Sequence, residues 1–191
     1  MAEENPGSWC AAAGGTIERY YQQLDALQPL RQQARRELLL ESRKHAASRW
    51  LRQVPYVGPV RSALLIALIQ TPHRFRTKRQ LWAYSGLALE TRTSGEYRVV
   101  GGELQRSKKL LAIRGLNQNH NHDLKYVFKS TATAAIIHPG PLRDFYDGLL
   151  AKGMKPSMAR LTLARKVAAI TLVLWKKGEF FDVQRLKPQA A

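Results

Sequence analysis

Between Thr16 and Leu38 the apolar residues return in steps of three and four: Ile17, Tyr20, Leu24, Leu27, Ala34 and Leu38, with Arg31 where the repeat would place one more. Strands repeat every second residue, so this spacing predicts a helix with an apolar seam. It is expected to run from Thr16 towards Trp50. The seam fades after Leu38 while cations accumulate: Arg31, Arg35, Arg36, Arg43, Lys44, Arg49 and Arg52 face only Glu37 and Glu41. A bland solvated face would mix its signs more evenly. Fewer than four heptads suit a helix packed on its own domain as well as an intermolecular coiled coil, which would make the chain a homo-oligomer. Both readings stay open.

Around this helix the chain divides into four parts. Residues 1–15 are small, glycine-containing and aperiodic, as in a frayed terminus. Residues 16–53 form the basic, coiled-coil-like helix, 54–178 a helical domain, and 179–191 a tail with little to pack after Phe181. The second part joins the third through Val54-Pro55-Tyr56-Val57-Gly58-Pro59, a turn before the apolar helix Val60 to Ile69. Such a turn brings backbone N–H groups and a positive helix end to the surface, where they can hold a phosphate. An ordinary helix connection would look the same.

After Thr71-Pro72, cations and aromatics interleave through Arg74, Phe75, Arg76, Lys78, Trp82 and Tyr84, with Thr77 placed to cap a helix stopped by Gly86. The rings read as core anchors before base-stacking platforms. Thr91 to Gly102 has the β-branched and aromatic bias of a short hairpin, with Ser94-Gly95 at its turn. From Leu104 on, helices are expected to resume, with apolar faces at Leu124, Val127, Phe128, Thr131, Ala135; at Leu142, Phe145, Tyr146, Leu149; and at Leu161, Ala164, Val167, Ala168, Thr171, Trp175. The fold class is mainly α: a long N-terminal helix, a helix-hairpin-helix element, one small β-hairpin and a C-terminal helical bundle.

Composition narrows the partner. Lys and Arg number 31 against 14 Asp and Glu, a net charge of +17 in a chain of 191 residues. That excess asks for a polyanion, and its spread along the chain favours nucleic acid over a membrane surface. One cysteine, Cys10, allows neither an internal disulfide nor a Cys-rich zinc site. No apolar run is long enough to span a bilayer, and Met-Ala-Glu-Glu is no secretion signal, so a cytoplasmic protein is expected.

Two chemistries act on polynucleotides: carboxylate clusters holding metals, and an exposed nucleophile near cations. The acids are scattered. In His120-Asn121-His122-Asp123 the two histidines share no helical face, and an N-cap explains Asn and Asp. No metal site and no cofactor is expected in this chain. Serine precedes glycine at Ser85-Gly86 and Ser94-Gly95. Ser94, between Arg92 and Arg98, could join a hydroxyl to two phosphate-neutralising groups, but a turn serine bonding its own backbone has the same pattern.

The order of these features resembles a known family. Val54-Pro55-Tyr56-Val57-Gly58-Pro59-Val60, Phe75 through Leu87, Thr93-Ser94-Gly95, Gly101-Gly102, Leu116-Asn117 and Asn119 through Lys125 together resemble the C-terminal half of insertion-sequence transposases. These combine a DEDD, RuvC-like metal domain with a serine-bearing domain and are guided by a bridge RNA. The resemblance spans about residues 16 to 137. It implies a coiled-coil connection in the basic helix and a helix-hairpin-helix at Tyr56-Val57-Gly58. It also implies that Ser94 is the nucleophile joined covalently to a DNA end, Mg²⁺ belonging to the acidic half. On that reading Arg92 and Arg98 neutralise the attacked phosphate, while Val57, Gly58, Arg61, Arg74, Arg76 and Lys78 grip DNA, and structured RNA, by the backbone. Tyr56 replaces a common glycine, and Leu89 a common proline. No acidic half is visible before residue 16, so the chain reads as a separate C-terminal part unable to transpose alone. A non-catalytic binding module or a decayed transposase fragment is the alternative.

Overall fold

The computed structural model describes residues 6–93, 97–106 and 110–186. Seven α-helices, α1 (Pro6–Arg43), α2 (Ala47–Leu51), α3 (Pro59–Ile69), α4 (Lys78–Tyr84), α5 (His122–Ile137), α6 (Pro141–Ala151) and α7 (Pro156–Lys177), are joined by four short strands among the described residues. The strands are β1 (Leu89–Thr93), β2 (Tyr97–Val100), β3 (Glu103–Arg106) and β4 (Leu110–Leu116). The fold is mainly helical, with a long first helix, as the periodicity predicts.

Helix α1 begins at Pro6, ahead of the seam at Thr16. Ala11-Ala12-Ala13 favours helix by propensity without adding a seam, so periodicity alone does not find this portion. The helix also stops short of Trp50. Lys44 and His45 donate their N–H groups to Glu41 and Ser42, and α2 starts at Ala47. The reason is phase: continuing the seam would bring Glu41, His45, Ser48 and Arg52 inward, whereas the break lets Ala47, Leu51 and Val54 enter the core. From residue 14 to 37 every position of α1 is exposed, including Leu24, Leu27 and Leu30.

Helix α7 is the axis of the body, with α2, α4, α5 and α6 packed on it. The expected α5 face (Leu124, Val127, Phe128, Thr131, Ala135) is wholly buried. On α7, Ala164, Val167, Ala168 and Thr171 are buried while Leu161 and Trp175 are half-buried. On α6, Leu142 and Tyr146 are buried and Phe145 and Leu149 pack at the margin. The segment after Gly178, expected to fray, returns to the core at Leu186, 4% exposed on a 3₁₀ turn at Val183–Leu186. One leucine was too sparse a pattern to signal this.

The strands depart from the expected hairpin. β2 pairs with β3 across Gly101-Gly102, whose φ angles of +64° and +89° suit a two-residue hairpin turn. β1 pairs instead with β4, and this ladder slips register between Leu89 and Thr91 and between Arg92 and Thr93. Helices therefore resume at His122, not at Leu104. Two glycines supply positive φ at both turn positions where Ser94-Gly95 has one. The continuous run Leu110-Leu111-Ala112-Ile113 lacks the alternation that marks a strand. No helix among the described residues is long and apolar enough to cross a membrane.

Candidate nucleic-acid interface

The strands leave and return over one foothold. α4 ends as the chain turns left-handed at Gly86, φ +65°. The N–H groups of Leu87 and Ala88 donate to the Trp82 carbonyl at 2.8 and 3.1 Å, and the Ser85 hydroxyl donates to the Leu81 carbonyl at 2.8 Å. Against this turn lies the segment after β4. Asn117 Nδ2 donates to the Ala83 carbonyl at 3.3 Å, its N–H to Ala88 at 3.1 Å, and the Asn121 N–H to Tyr84 at 3.0 Å. Asn121 Oδ1 accepts the Leu124 N–H at 2.8 Å, capping α5 as its residue type suggests. From α7, Arg165 Nε donates to the Leu87 carbonyl at 2.6 Å, and Trp82 Nε1 donates back to the Arg165 carbonyl at 3.0 Å. Segments 84–88 and 117–121, distant in sequence, are thus one clamp at the base of β1 and β4.

His120 fills the clamp. Burial, then Lys125 and His122, hold its imidazole below the ordinary range, partly countered by the backbone of Asn117 and Gln118. In the unfolded chain the group titrates near its ordinary value, about 6.5. Below that pH the unfolded chain takes up a proton that the folded one resists, so stability falls as pH drops through this range. The urea midpoint is expected to be lower at pH 5.5 than at 7.5, with a smaller difference in His120→Phe. An equal difference in both proteins excludes His120 as the cause.

Beside the clamp, the cations interleaved with aromatics take separate levels. Phe75 is buried, and Trp82 and Tyr84 are half-buried against the core, as anchors. Over their outer sides lie the cations: Arg74 Cζ is 4.5 Å from the Tyr84 ring centre and 5.7 Å from that of Phe75, and Lys78 Nζ is 5.7 Å from that of Trp82. Thr77 and Gln80 form a reciprocal cap, and Gln80 Oε1 also accepts the Arg76 N–H at 2.6 Å. Lys176 from α7 donates to the Phe75 and Arg76 carbonyls. A groove of about 680 Å³ follows, lined by Lys78, Trp82, Phe145, Arg165 and Lys166. Burial, and then Lys78, lower the Lys166 ammonium; burial lowers Arg165. Arg165, Lys166 and Lys176 escaped sequence reasoning. The α7 apolar face leaves them on its flanks, but only packing shows that those flanks meet α4.

The hairpin before α3 separates its three candidates. Val57 is 3% exposed and its N–H donates to the Val54 carbonyl at 3.0 Å. Gly58 is exposed, with extended backbone at the N-cap of α3 and open space around it. Arg61 Nη1 donates to the Tyr56 carbonyl at 2.8 Å and so braces the turn. Tyr56 adopts φ +65° although it is not glycine. Its ring stacks on His138 at 5.9 Å and its hydroxyl donates to the Pro139 carbonyl at 3.3 Å. These contacts hold a conformation that disfavours a side chain by about 1–2 kcal/mol.

Ser94 lies outside the described residues. Arg92 is placed by its backbone in β1 opposite Ala112, and Arg98 in β2 opposite Gln105. Ion pairs among the described residues include Glu41–Lys44, Asp147–Arg143 and Glu179–Lys177, and Asp182 lines the same groove as Lys78. No group of three or more His, Cys, Asp or Glu among them could hold a metal ion.

Comparison with known proteins gives a consistent picture. Residues 48–147, just over half of the chain, match the family model described as Transposase IS116/IS110/IS902 family. The chain is 28% identical over 131 residues to an uncharacterized 44.8 kDa protein of insertion element IS116 from Streptomyces clavuligerus, covering 69% of this chain and 30% of that protein. It is 30% identical over 144 residues to an uncharacterized 43.6 kDa protein of insertion element IS110 from Streptomyces coelicolor (strain ATCC BAA-471 / A3(2) / M145), covering 75% of this chain and 32% of that protein. The matched part is thus about a third of each relative.

Proposed function

Because the chain belongs to the IS116/IS110/IS902 transposase family, we propose that it grips nucleic acid by the phosphodiester backbone and supplies Ser94 as the nucleophile of DNA cleavage and strand transfer. The observation that carries this reading is the surface at the start of α4: Arg74, Arg76 and Lys78 gather there, Arg74 over the Tyr84 ring and Lys78 over that of Trp82, beside the clamp at the base of β1. Cations fixed over packed rings lose little freedom on meeting phosphates, and backbone contacts position a strand without reading its sequence. Gly58 at the start of α3 adds backbone N–H groups to the grip, and Arg61 acts by holding the turn. Arg92 and Arg98 neutralise the attacked phosphate. DNA is the substrate and a structured guide RNA the second ligand. Divalent metal is held by an acidic domain of the assembled transposase. The bare α1 seam pairs with a second copy.

A salt titration of duplex DNA binding tests the grip. The combined variant Arg74→Gln, Arg76→Gln, Lys78→Gln is expected to bind at least about tenfold more weakly near 0.15 M salt. The slope of log affinity against log salt should become shallower by about 2 to 3, roughly 0.9 for each lost phosphate contact. Unchanged affinity and slope would show that the α4 surface does not hold DNA. Arg61→Glu is a poorer probe, because it also releases the Tyr56 turn.

A further inference from the structure

A second groove, about 670 Å³, is lined by α3, α5 and α7. Arg61, Lys125, Lys129 and Arg160 bring four cations to it, and no carboxylate lines it among the described residues. No two of these elements adjoin in sequence, so the cluster exists only in the fold. Its remaining wall is unusual for a phosphate patch. The Tyr126 ring is 71% exposed and Ile137 67% exposed, both on the outward face of α5. The apolar wall offers nothing to phosphates, while an exposed aromatic face suits a nucleobase. Bases in a duplex are stacked on each other and cannot present that face.

We infer that this groove binds an unpaired nucleic-acid strand, its phosphates between Lys125, Lys129, Arg61 and Arg160 and a base stacked on Tyr126. The inference rests on the nucleic-acid reading above and adds to it a separate site for single strands. Arg61 is pre-positioned by its bond to the Tyr56 carbonyl. Lys125 is held below the ordinary lysine range by burial and then by Lys129, a repulsion that an anion between them removes. The shared chemistry is a phosphodiester strand with free base faces, met by single-stranded DNA and by an RNA loop alike.

The test is fluorescence anisotropy of the full chain with labelled dT12, labelled rU12 and a 20-base-pair duplex. Tyr126→Ala is expected to weaken binding of at least one single strand by about tenfold, with duplex affinity unchanged. Tyr126→Phe should keep wild-type affinity. Lys125→Gln with Lys129→Gln should make the single-strand salt slope shallower by about 1.4. The strand that responds identifies the preferred sugar. Equal loss on the duplex, or wild-type affinity of Tyr126→Ala for both strands, overturns the site. The α4 triple variant separates the failures: if its duplex loss persists, the backbone-gripping reading stands without this groove. If the wild type binds none of the probes, both fall.

Discussion

A full-length transposase carrying this segment with Ser94→Ala is expected to bind DNA as tightly as the parent and to lose strand transfer by at least about 10³-fold. The substitution removes one oxygen and leaves the charge of the surface intact, so the grip and its salt dependence should not move. On the proposed reading, losing the nucleophile removes the covalent step itself: the Ser94 Oγ–phosphorus bond that would form as the bond to the departing sugar oxygen breaks. Deleting a serine nucleophile elsewhere has cost as much as about 10⁶ in rate. A protein–DNA adduct that survives denaturation should accompany the parent and vanish in the variant. Undiminished recombination by Ser94→Ala would sink the assignment. The second serine–glycine pair provides the control, because the Ser85 hydroxyl is fully buried and donates to the Leu81 carbonyl. It has no route to a phosphate. Ser85→Ala should therefore keep transfer activity.

The largest stability effect is expected at Gly86. Gly86→Ala meets two costs at once. The φ of +65° disfavours any side chain by about 1–2 kcal/mol. A Cβ there would also stand 2.4 Å from His120 Cγ, and forcing that ring aside costs about 1–3 kcal/mol. Together they come to about 2–5 kcal/mol, set against a total of about 5–15 kcal/mol for a domain. For a chain of this size the melting temperature should fall by about 5–15 °C. A double-mutant cycle with His120→Ala separates the terms. Removing the ring should recover the steric part and leave the backbone part. A melting temperature in Gly86→Ala within a degree of wild type would refute the clamp as drawn.

Much of this protein is legible in one dimension because helix faces write themselves locally. The α5 and α7 faces, the Thr77 cap and the Asn121 cap all depend on residues within about four positions of each other, and each lies where spacing predicts. The net charge of +17 likewise needs no coordinates to raise the expectation of a polyanion. The helical fold class follows from the local spacing, and the expectation of a polyanionic partner from the summed charge. Other features depend on residues far apart. The strand pairing β1 to β4 was invisible because register is set by a partner about 20 residues away and by the Gly101-Gly102 turn between them. The break after Arg43 was set by which apolar phase the core accepted. Two serine–glycine pairs look alike as dipeptides; their neighbours favour Ser94, and packing adds that the Ser85 hydroxyl is buried. The groove of Arg61, Lys125, Lys129 and Arg160 draws on three helices, and only their packing brings these cations together. Periodicity and total charge are properties of a string, whereas burial and the meeting of distant cations are properties of packing.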